Sequence, residues 1–307
     1  MIVTEEIPAA LAGERLDRIV SLVGDLSRSQ ARELVATGGV SVDGRKATSG
    51  KVRLTEGQTV TVDLSMVAGD ELPGPDPDVK FRIVHEDPHL LVVEKPAGLV
   101  VHPAPGHPGS TLVNGLLHSH PGIAAVGQPT RPGIVHRLDV GTSGLMVVAL
   151  DDEAYEGLVD AMSSHLVTRE YVALAWGHFD APSGVIDASI GRDPRDPLRM
   201  AVVRDGKHAR THFEVEREFV EPAPLSLVRC SLETGRTHQI RVHLAAVGHA
   251  VVGDPTYGGV RPALRAPRPM LHAETLAFVH PVTGQELTFS ADVPADMAAV
   301  ISACAGA

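Results

Sequence analysis

The first 65 residues combine two helical patterns of hydrophobic positions with short alternating patterns. After Gly13, apolar residues recur every three or four positions, which predicts an amphipathic helix (Leu16, Ile19 or Val20, and Val23). Ser27 and Gln30 have the spacing of a capping box, so a second helix is predicted to begin there and to end at Gly38–Gly39. Val40–Val42 alternates into Asp43-Gly44, a hairpin signal, and Val60, Val62 and Leu64 alternate with polar residues. These patterns predict a compact ααβββ unit over residues 1–66.

Residues 67–80 are rich in Gly, Pro and acid and lack apolar periodicity, which predicts a linker. From residue 81 to residue 307 short strand patterns dominate (82–86, 90–94, 145–149, 171–176 and 225–232). Only two helical patterns are prominent, over 152–166 and 237–247. Strands without regular helix alternation predict an α+β domain with a mixed or antiparallel sheet.

Composition narrows the class of protein without deciding its function. A chain of 307 residues can bury sizeable cores without disulfides, and its two cysteines, Cys230 and Cys304, form no CxxC pair. The acidic start and the lack of long apolar runs predict a cytoplasmic protein that does not enter a membrane. The net charge of −11 is unusual for a nucleic-acid-binding protein, but 22 of the 27 cationic side chains are Arg, which suits phosphates.

The sequence lacks the GxxxxGK[ST], GxGxxG, HExxH and GxSxG signatures. His118 and His120 form a local pair, but no nearby carboxylates complete a ligand set, so we expect no metal site.

The segment 133–144, GIVHRLDVGTSG, places Asp139 after a strand pattern and before two glycines. Asp139 could be an ordinary turn residue that binds the Thr142 and Ser143 amides. Alternatively, its carboxylate is held on a small-residue loop that another backbone, such as that of a nucleotide, can approach closely.

Two further segments allow a structural and a functional interpretation. In 234–243, TGRTHQIRVH, Arg241 lies near the start of a helix, where a cation gains nothing from the dipole, which hints at a carboxylate partner. It could also be a solvent-exposed helical Arg. Tyr171, in Arg169-Glu170-Tyr171, could be an ordinary sheet aromatic.

Together these segments resemble the RluA/RluD family of RNA pseudouridine synthases, with HRLD followed by GTSG as the most specific motif. The resemblance extends over nearly all of residues 80–290, through KPAGL (95–99), Gly191-Arg192, RMAV (199–202) and GDPTYG (253–258). Residues 14–64 resemble the RNA-binding module first described in ribosomal small-subunit protein four. Glu94, Arg169 and Asp193 depart from the residues usual at their positions, which bears on target choice more than on chemistry.

The resemblance implies an enzyme that isomerises uridines in structured RNA by base flipping, without a cofactor. It implies that Asp139 is the catalytic carboxylate, that Arg241 is its ion-pair partner, and that Tyr171 stacks on the base and could take a proton late in the reaction. Arg137 would fill the space left by the flipped base. The expected substrate-binding residues are His136, Arg137, Thr142, Arg236, His238 and Gln239, and the N-terminal module would grip phosphates through Arg15, Arg28, Arg32 and Lys46.

Two alternatives remain. One is a non-catalytic RNA-binding ribosome-assembly factor on the same fold, which would not need Asp139, Tyr171 and Arg241 together. The other is a hydrolase using His136, Asp139 and Ser143, but residues so close on one strand and turn point to different sides. The resemblance favours large-subunit ribosomal RNA as substrate, with transfer RNA next, and no obligate protein partner is evident.

Overall fold

The computed structural model describes residues 1–26, 28–67, 72–103, 109–196 and 199–305. The chain divides into two units, Met1–Glu71 and Leu72–Ala307. Among the described residues, no helix is both long enough and apolar enough to cross a bilayer.

The smaller unit is a four-stranded antiparallel sheet with two helices. Its strands are β1 (Ile2–Glu6), β2 (Val40–Val42), β3 (Arg45–Lys46) and β4 (Thr59–Asp63), and its helices are α1 (Leu16–Gly24) and α2 (Arg28–Ala36). The strand order is β1-β4-β2-β3. Strand β1 was not predicted, because its mostly exposed residues show no apolar alternation. The predicted cap at Ser27 lies outside the described residues.

The larger unit is built on a nine-stranded mixed sheet. Its elements are β5 (Arg82–Glu86), β6 (Leu90–Lys95), α3 (Leu112–Ser119), β7 (Ser143–Ala149), α4 (Asp152–Ser163), β8 (Thr168–Trp176), β9 (Ser183–Asp187), β10 (Ile190–Arg192), β11 (Met200–Val202), β12 (Arg210–Phe219), β13 (Leu225–Leu232), α5 (Gln239–Ala246), β14 (Leu271–Val279), β15 (Glu286–Ser290) and α6 (Ala295–Ala305). Strands run in the order β5-β6-β7-β14-β8-β13-β12-β9, β15 pairs with β14, and β10 and β11 form a separate hairpin. The β7–β14 pair is parallel and the other pairs are antiparallel, so the predicted α+β class with a mixed sheet is confirmed.

The centre of this sheet is buried on both faces, which explains its continuous apolar runs. In β6, Leu91 and Val93 pack into the core beneath α3 and α5, while Leu90 and Val92 pack into the core beneath α4. A third core lies between the sheet and α6. The candidate site borders the first of these cores, which contains Tyr171 and the chain neighbours of Asp139 and Arg241 (Leu138 and Ile240).

Residues 68–71 of the predicted linker lie outside the described residues, and the later part of the segment contacts α3. The Asp76 amide donates to the Asn114 carbonyl, the Asn114 side chain donates to the Gly74 carbonyl at 2.6 Å, and Val79 lies beside Gly115. The second half of the segment 67–80 therefore packs on α3 as part of the larger unit.

We expect a chain of residues 72–307 to fold on its own, because it keeps the whole of the larger unit. A matched chain that begins at residue 81 loses the hydrogen bonds to Asn114, and its free energy of unfolding should be about 1–2 kcal/mol lower. Urea denaturation followed by circular dichroism measures both. Equal stability of the two chains would show that residues 72–80 act only as a tether.

Candidate active site

A tight turn between the segment 133–138 and β7 presents Asp139. The Thr142 amide donates to the Asp139 backbone carbonyl at 3.0 Å, and the Gly98 amide donates to the Val140 carbonyl at 2.7 Å. The Asp139 side chain does not bind the turn's own amides: it accepts a hydrogen bond from Arg241. The interpretation of Asp139 as an ordinary turn residue therefore fails at its carboxylate.

Gly144 fixes how this turn joins the sheet. Its φ of +119° lies where L-residues are strained, and a Cβ there would lie 2.2 Å from the Ala273 carbonyl oxygen of β14. Only glycine allows β7 to approach β14 in parallel at this point.

Arg241 is held between two carboxylates. Its Nη1 lies 3.1 Å from Asp139 Oδ2, and its Nε and Nη2 donate to the two oxygens of Asp254 at 2.6 and 3.0 Å. The exposed fraction is 7% for the Arg241 side chain, 15% for Asp139 and 0% for Asp254, so the bidentate partner is the deeper one. Burial opposes the charge of Arg241, but the hydrogen bonds and charges of Asp254 and Asp139 outweigh it and raise the pKa of the guanidinium.

Tyr257 supports the same guanidinium from the side. The Arg241 guanidinium lies 5.1 Å from the centre of the Tyr257 ring, and the Tyr257 hydroxyl lies 2.9 Å from His238 Nδ1. His238 has a left-handed backbone (φ 58°), so α5 begins only at Gln239, two residues later than predicted. His238 Nε2 lies 4.0 Å from Asp139, and burial lowers the pKa of this imidazole although the Asp139 charge opposes the shift.

Tyr171 lines the cavity from β8. It is 6% exposed, and burial raises the pKa of its phenol to about 12, an effect that the Arg169 charge reduces and the Asp139 charge reinforces. At neutral pH the phenol is therefore protonated. A late proton transfer to Tyr171 would need a phenolate, which this site disfavours.

His136 and Arg137 differ in role although they are adjacent. His136 Nε2 accepts the Val147 amide of β7 at 3.0 Å, and burial together with Arg169 lowers its pKa to about 3. The ring is thus neutral and carries its proton on Nδ1. Arg137 is exposed, and its Nη1 lies 3.1 Å from His102 Nε2.

The hydrogen-bonding groups of the Gln239 side chain are all engaged within the protein. Its Oε1 accepts from the Thr234 hydroxyl and the Arg236 amide, and its Nε2 donates to the Arg210 carbonyl and the Thr211 hydroxyl. The side-chain amide of Gln239 thus fixes the loop before α5 in the free protein, and the expected substrate contact of Gln239 stays a prediction. The Arg236 guanidinium is half-buried and donates to the His208 carbonyl, and Thr142 is buried.

All nine predicted catalytic and substrate-binding residues border one cavity of about 610 Å³ in the larger unit (His136, Arg137, Asp139, Thr142, Tyr171, Arg236, His238, Gln239 and Arg241). The sequence places them on separate segments, and the fold brings them together. No cluster of three or more His, Cys, Asp or Glu side chains in the described part of the chain could hold a metal ion.

Lys95 was not predicted as a site residue, yet it lies at the end of β6, close enough to Asp139 for the two charges to interact. Its side chain is fully buried, and its ammonium donates to the Pro96 and Leu99 carbonyls at 2.9 Å. Burial lowers the pKa of Lys95 to about 7, although the Asp139 charge opposes this and Arg268 adds to it.

In the smaller unit, the four predicted RNA-binding side chains fall into two kinds. Arg15 and Arg32 both bind Asp17, which is 4% exposed and thereby fixes two guanidinium groups. The hydrogen bond from Arg15 lowers the pKa of Asp17. Burial opposes this effect, but the pKa remains below its usual value. Arg28 and Lys46 are exposed.

Comparison with known proteins assigns both units. The profile of the RNA pseudouridylate synthase family matches residues 89–246, and that of the S4 domain matches residues 14–60. The chain is 44% identical to an uncharacterized RNA pseudouridine synthase of Bacillus subtilis, over 94% of this chain and 93% of the relative. It is 42% identical to the ribosomal large subunit pseudouridine synthase D of Xanthomonas campestris, over 97% and 91%. The solved structure of human RNA Pseudouridylate Synthase Domain Containing 1 matches with a TM-score of 0.57 and 30% identity, over 71% of this chain and 85% of that one.

We expect Asp254→Asn to lower the free energy of unfolding by about 3 kcal/mol, because it leaves the buried Arg241 charge without its bidentate partner. The loss should shrink when Arg241 is also changed to Met. Chemical denaturation of the single and double variants measures this coupling, with Asp292→Asn as an exposed control. Strictly additive losses would mean that the Asp254–Arg241 pair does not stabilise the fold.

Lys95→Met should change how stability depends on pH. Between the folded pKa of about 7 and the ordinary lysine pKa of 10.5, the unfolded chain binds more protons at Lys95 than the folded chain. The stability of the wild type therefore rises with pH across this window, and it carries the full cost of the buried charge below it. The free energy of unfolding of the variant should exceed that of the wild type by most at or below about pH 7, and the difference should shrink toward about pH 10.

Urea denaturation across that range measures the difference, and Lys207→Met, at an exposed position, is the control. If the free energies of unfolding of Lys95→Met and wild type differ by the same amount at every pH, the lowered pKa of Lys95 would be contradicted.

Proposed function

The chain belongs to the RNA pseudouridylate synthase family, and from this premise we propose that it converts specific uridines of large-subunit ribosomal RNA to pseudouridine. As a pseudouridine synthase it is an isomerase. The observation that carries the proposal is the ion pair of Asp139 with Arg241 in a cavity that Tyr171 also lines.

The reaction breaks the N1–C1′ bond of uridine and joins C5 of the same base to C1′. C5 then loses its proton and N1 gains one, so the change needs no redox partner and no external group. Among the described residues that line the cavity, Asp139 supplies the one carboxylate, and it lies beside Arg241. It can attack C1′ or C6, or remove a ribose proton on a glycal path, and the ion pair with Arg241 holds the carboxylate in place in each case.

The reacting uridine must leave its RNA stack to reach Asp139. Tyr171 offers the ring of a neutral phenol on which the uracil can stack. Exposed Arg137, at the mouth of the cavity, can enter the space that the base vacates. His136 can donate from Nδ1, while Thr142, Arg236 and His238 border the same volume.

The smaller unit would supply affinity for RNA. Asp17 holds Arg15 and Arg32 as a fixed pair, and Arg28 and Lys46 add exposed charges that can contact phosphates. The relatives named for the large ribosomal subunit support ribosomal over transfer RNA as the substrate, and they support a cytoplasmic site of action.

We expect Asp139→Asn to reduce pseudouridine formation by at least a thousandfold, because it removes the anion but keeps the shape of the side chain. Release of tritium from ribosomal RNA labelled at uridine C5 measures the reaction, since isomerisation frees that hydrogen. Asp180→Asn, at an exposed position outside the cavity, is the matched control. Turnover by Asp139→Asn within tenfold of wild type would exclude Asp139 as the catalytic group, and absence of release by wild type would favour an RNA-binding assembly factor.

A further inference from the structure

Arg169 is a buried cation in the cavity wall that the proposed reaction does not use. It lies on β8 two residues before Tyr171, so both side chains are on the same face of the strand and both border the cavity. Arg169 is 8% exposed. Its neighbour Glu170 points to the opposite face, where it lies near Arg229.

The guanidinium of Arg169 makes few hydrogen bonds for a buried group. Of its five N–H donors, one makes a hydrogen bond within the described chain, from Nη2 to the Glu233 carbonyl at 3.3 Å. Its Nε is buried and has no partner, and no described carboxylate lies within ion-pairing distance. By contrast, Arg241 in the same cavity binds two carboxylates.

Such a group is costly in the free protein. A buried charge without a counter-ion loses its hydration and regains little from a single carbonyl. The nearby titratable groups do not compensate: His136 is neutral, Tyr171 is protonated, and the Asp139 charge is taken up by Arg241. The cavity wall therefore lacks one negative charge.

We propose that Arg169 binds the phosphodiester group of the target nucleotide inside the cavity. This proposal rests on the proposed RNA substrate, in which uracil and ribose are neutral and the phosphodiester is the anion that every nucleotide carries. A guanidinium pairs with two phosphate oxygens at once, which satisfies donors that are idle in the free protein. Arg169 is thus a positioning residue, which holds the backbone while Tyr171 contacts the base.

Gly235 keeps the Arg169 guanidinium in place. A Cβ at residue 235 would lie 2.8 Å from Arg169 Nη1, so any side chain there would displace the guanidinium. The backbone of Gly235 does not itself demand glycine, since its φ is not in the left-handed region. Gly235→Ala therefore moves the Arg169 charge without removing it.

The test is a binding cycle in the full-length Asp139→Asn background, so that it does not depend on turnover. The probe is a stem–loop RNA with an all-uridine loop, made with natural phosphodiesters or with neutral methylphosphonates in the loop. Arg169→Gln should weaken binding of the natural RNA about tenfold and that of the methylphosphonate RNA less than twofold. The slope of log affinity against log salt should fall by about 0.7 on the natural RNA alone.

Further variants separate binding from folding. Arg169→Lys, which keeps the charge, should retain most of the affinity, and Gly235→Ala should lose affinity for the natural RNA only. Arg217 lies outside the cavity, so Arg217→Gln should change the affinity for neither the natural RNA nor the methylphosphonate RNA. The melting temperature of Arg169→Gln should equal or exceed that of the parent, because the substitution removes an unpaired buried charge.

An equal loss on both RNAs, or a lower melting temperature for Arg169→Gln, would overturn the assignment in favour of a base contact or a structural role. Because all measurements are of binding and stability, failure of wild type to form pseudouridine would reject the proposed function while leaving this result readable.

Discussion

The chemistry of the cavity depends on one guanidinium shared by two carboxylates. Asp254 binds Arg241 through two hydrogen bonds and is itself fixed by the Thr256 and Tyr257 amides, so the orientation of Arg241 is set before any substrate arrives. The remaining Nη1 is directed at Asp139. The same cation therefore binds Asp139 at 3.1 Å and holds its carboxylate at the cavity. The stability of the fold and the proposed reaction of Asp139 thus depend on the same guanidinium.

The sheet determines where that pair forms. The parallel register of β7 and β14 begins at Ser143 and Gly144, directly after the Asp139 turn, and Arg268 fastens the turn by donating to the Gly141 carbonyl and the Ser143 hydroxyl. Arg268 is in turn bound by Asp296 of α6. The Asp139 turn is therefore tied through hydrogen bonds to a helix on the other face of the sheet, which limits the freedom of Asp139 to rotate away from Arg241.

Local patterns predicted the elements more completely than their contacts. The apolar runs of β6 and β7 and the periodicity of α1 were readable because burial leaves a period in the sequence. Strand β1, with exposed side chains, left none. At the site, motif resemblance singled out Asp139, Tyr171 and Arg241. Nothing in the local sequence shows that Asp254 binds Arg241 or that the Lys95 side chain is buried. Nor does it show that the Gln239 amide forms its hydrogen bonds within the protein. Those facts depend on pairings between distant segments, which a single sequence does not record.

The central claim is that Asp139, presented by Arg241, acts on a uridine that has left its RNA stack. The structure of the Asp139→Asn variant in complex with its RNA tests this most directly. The account predicts one extruded uridine in the cavity, with uracil against the Tyr171 ring and with C1′ or C6 within about 3.5 Å of the residue 139 side chain. A uridine that remains stacked in the RNA, or a bound nucleotide whose base lies away from residue 139, would contradict it.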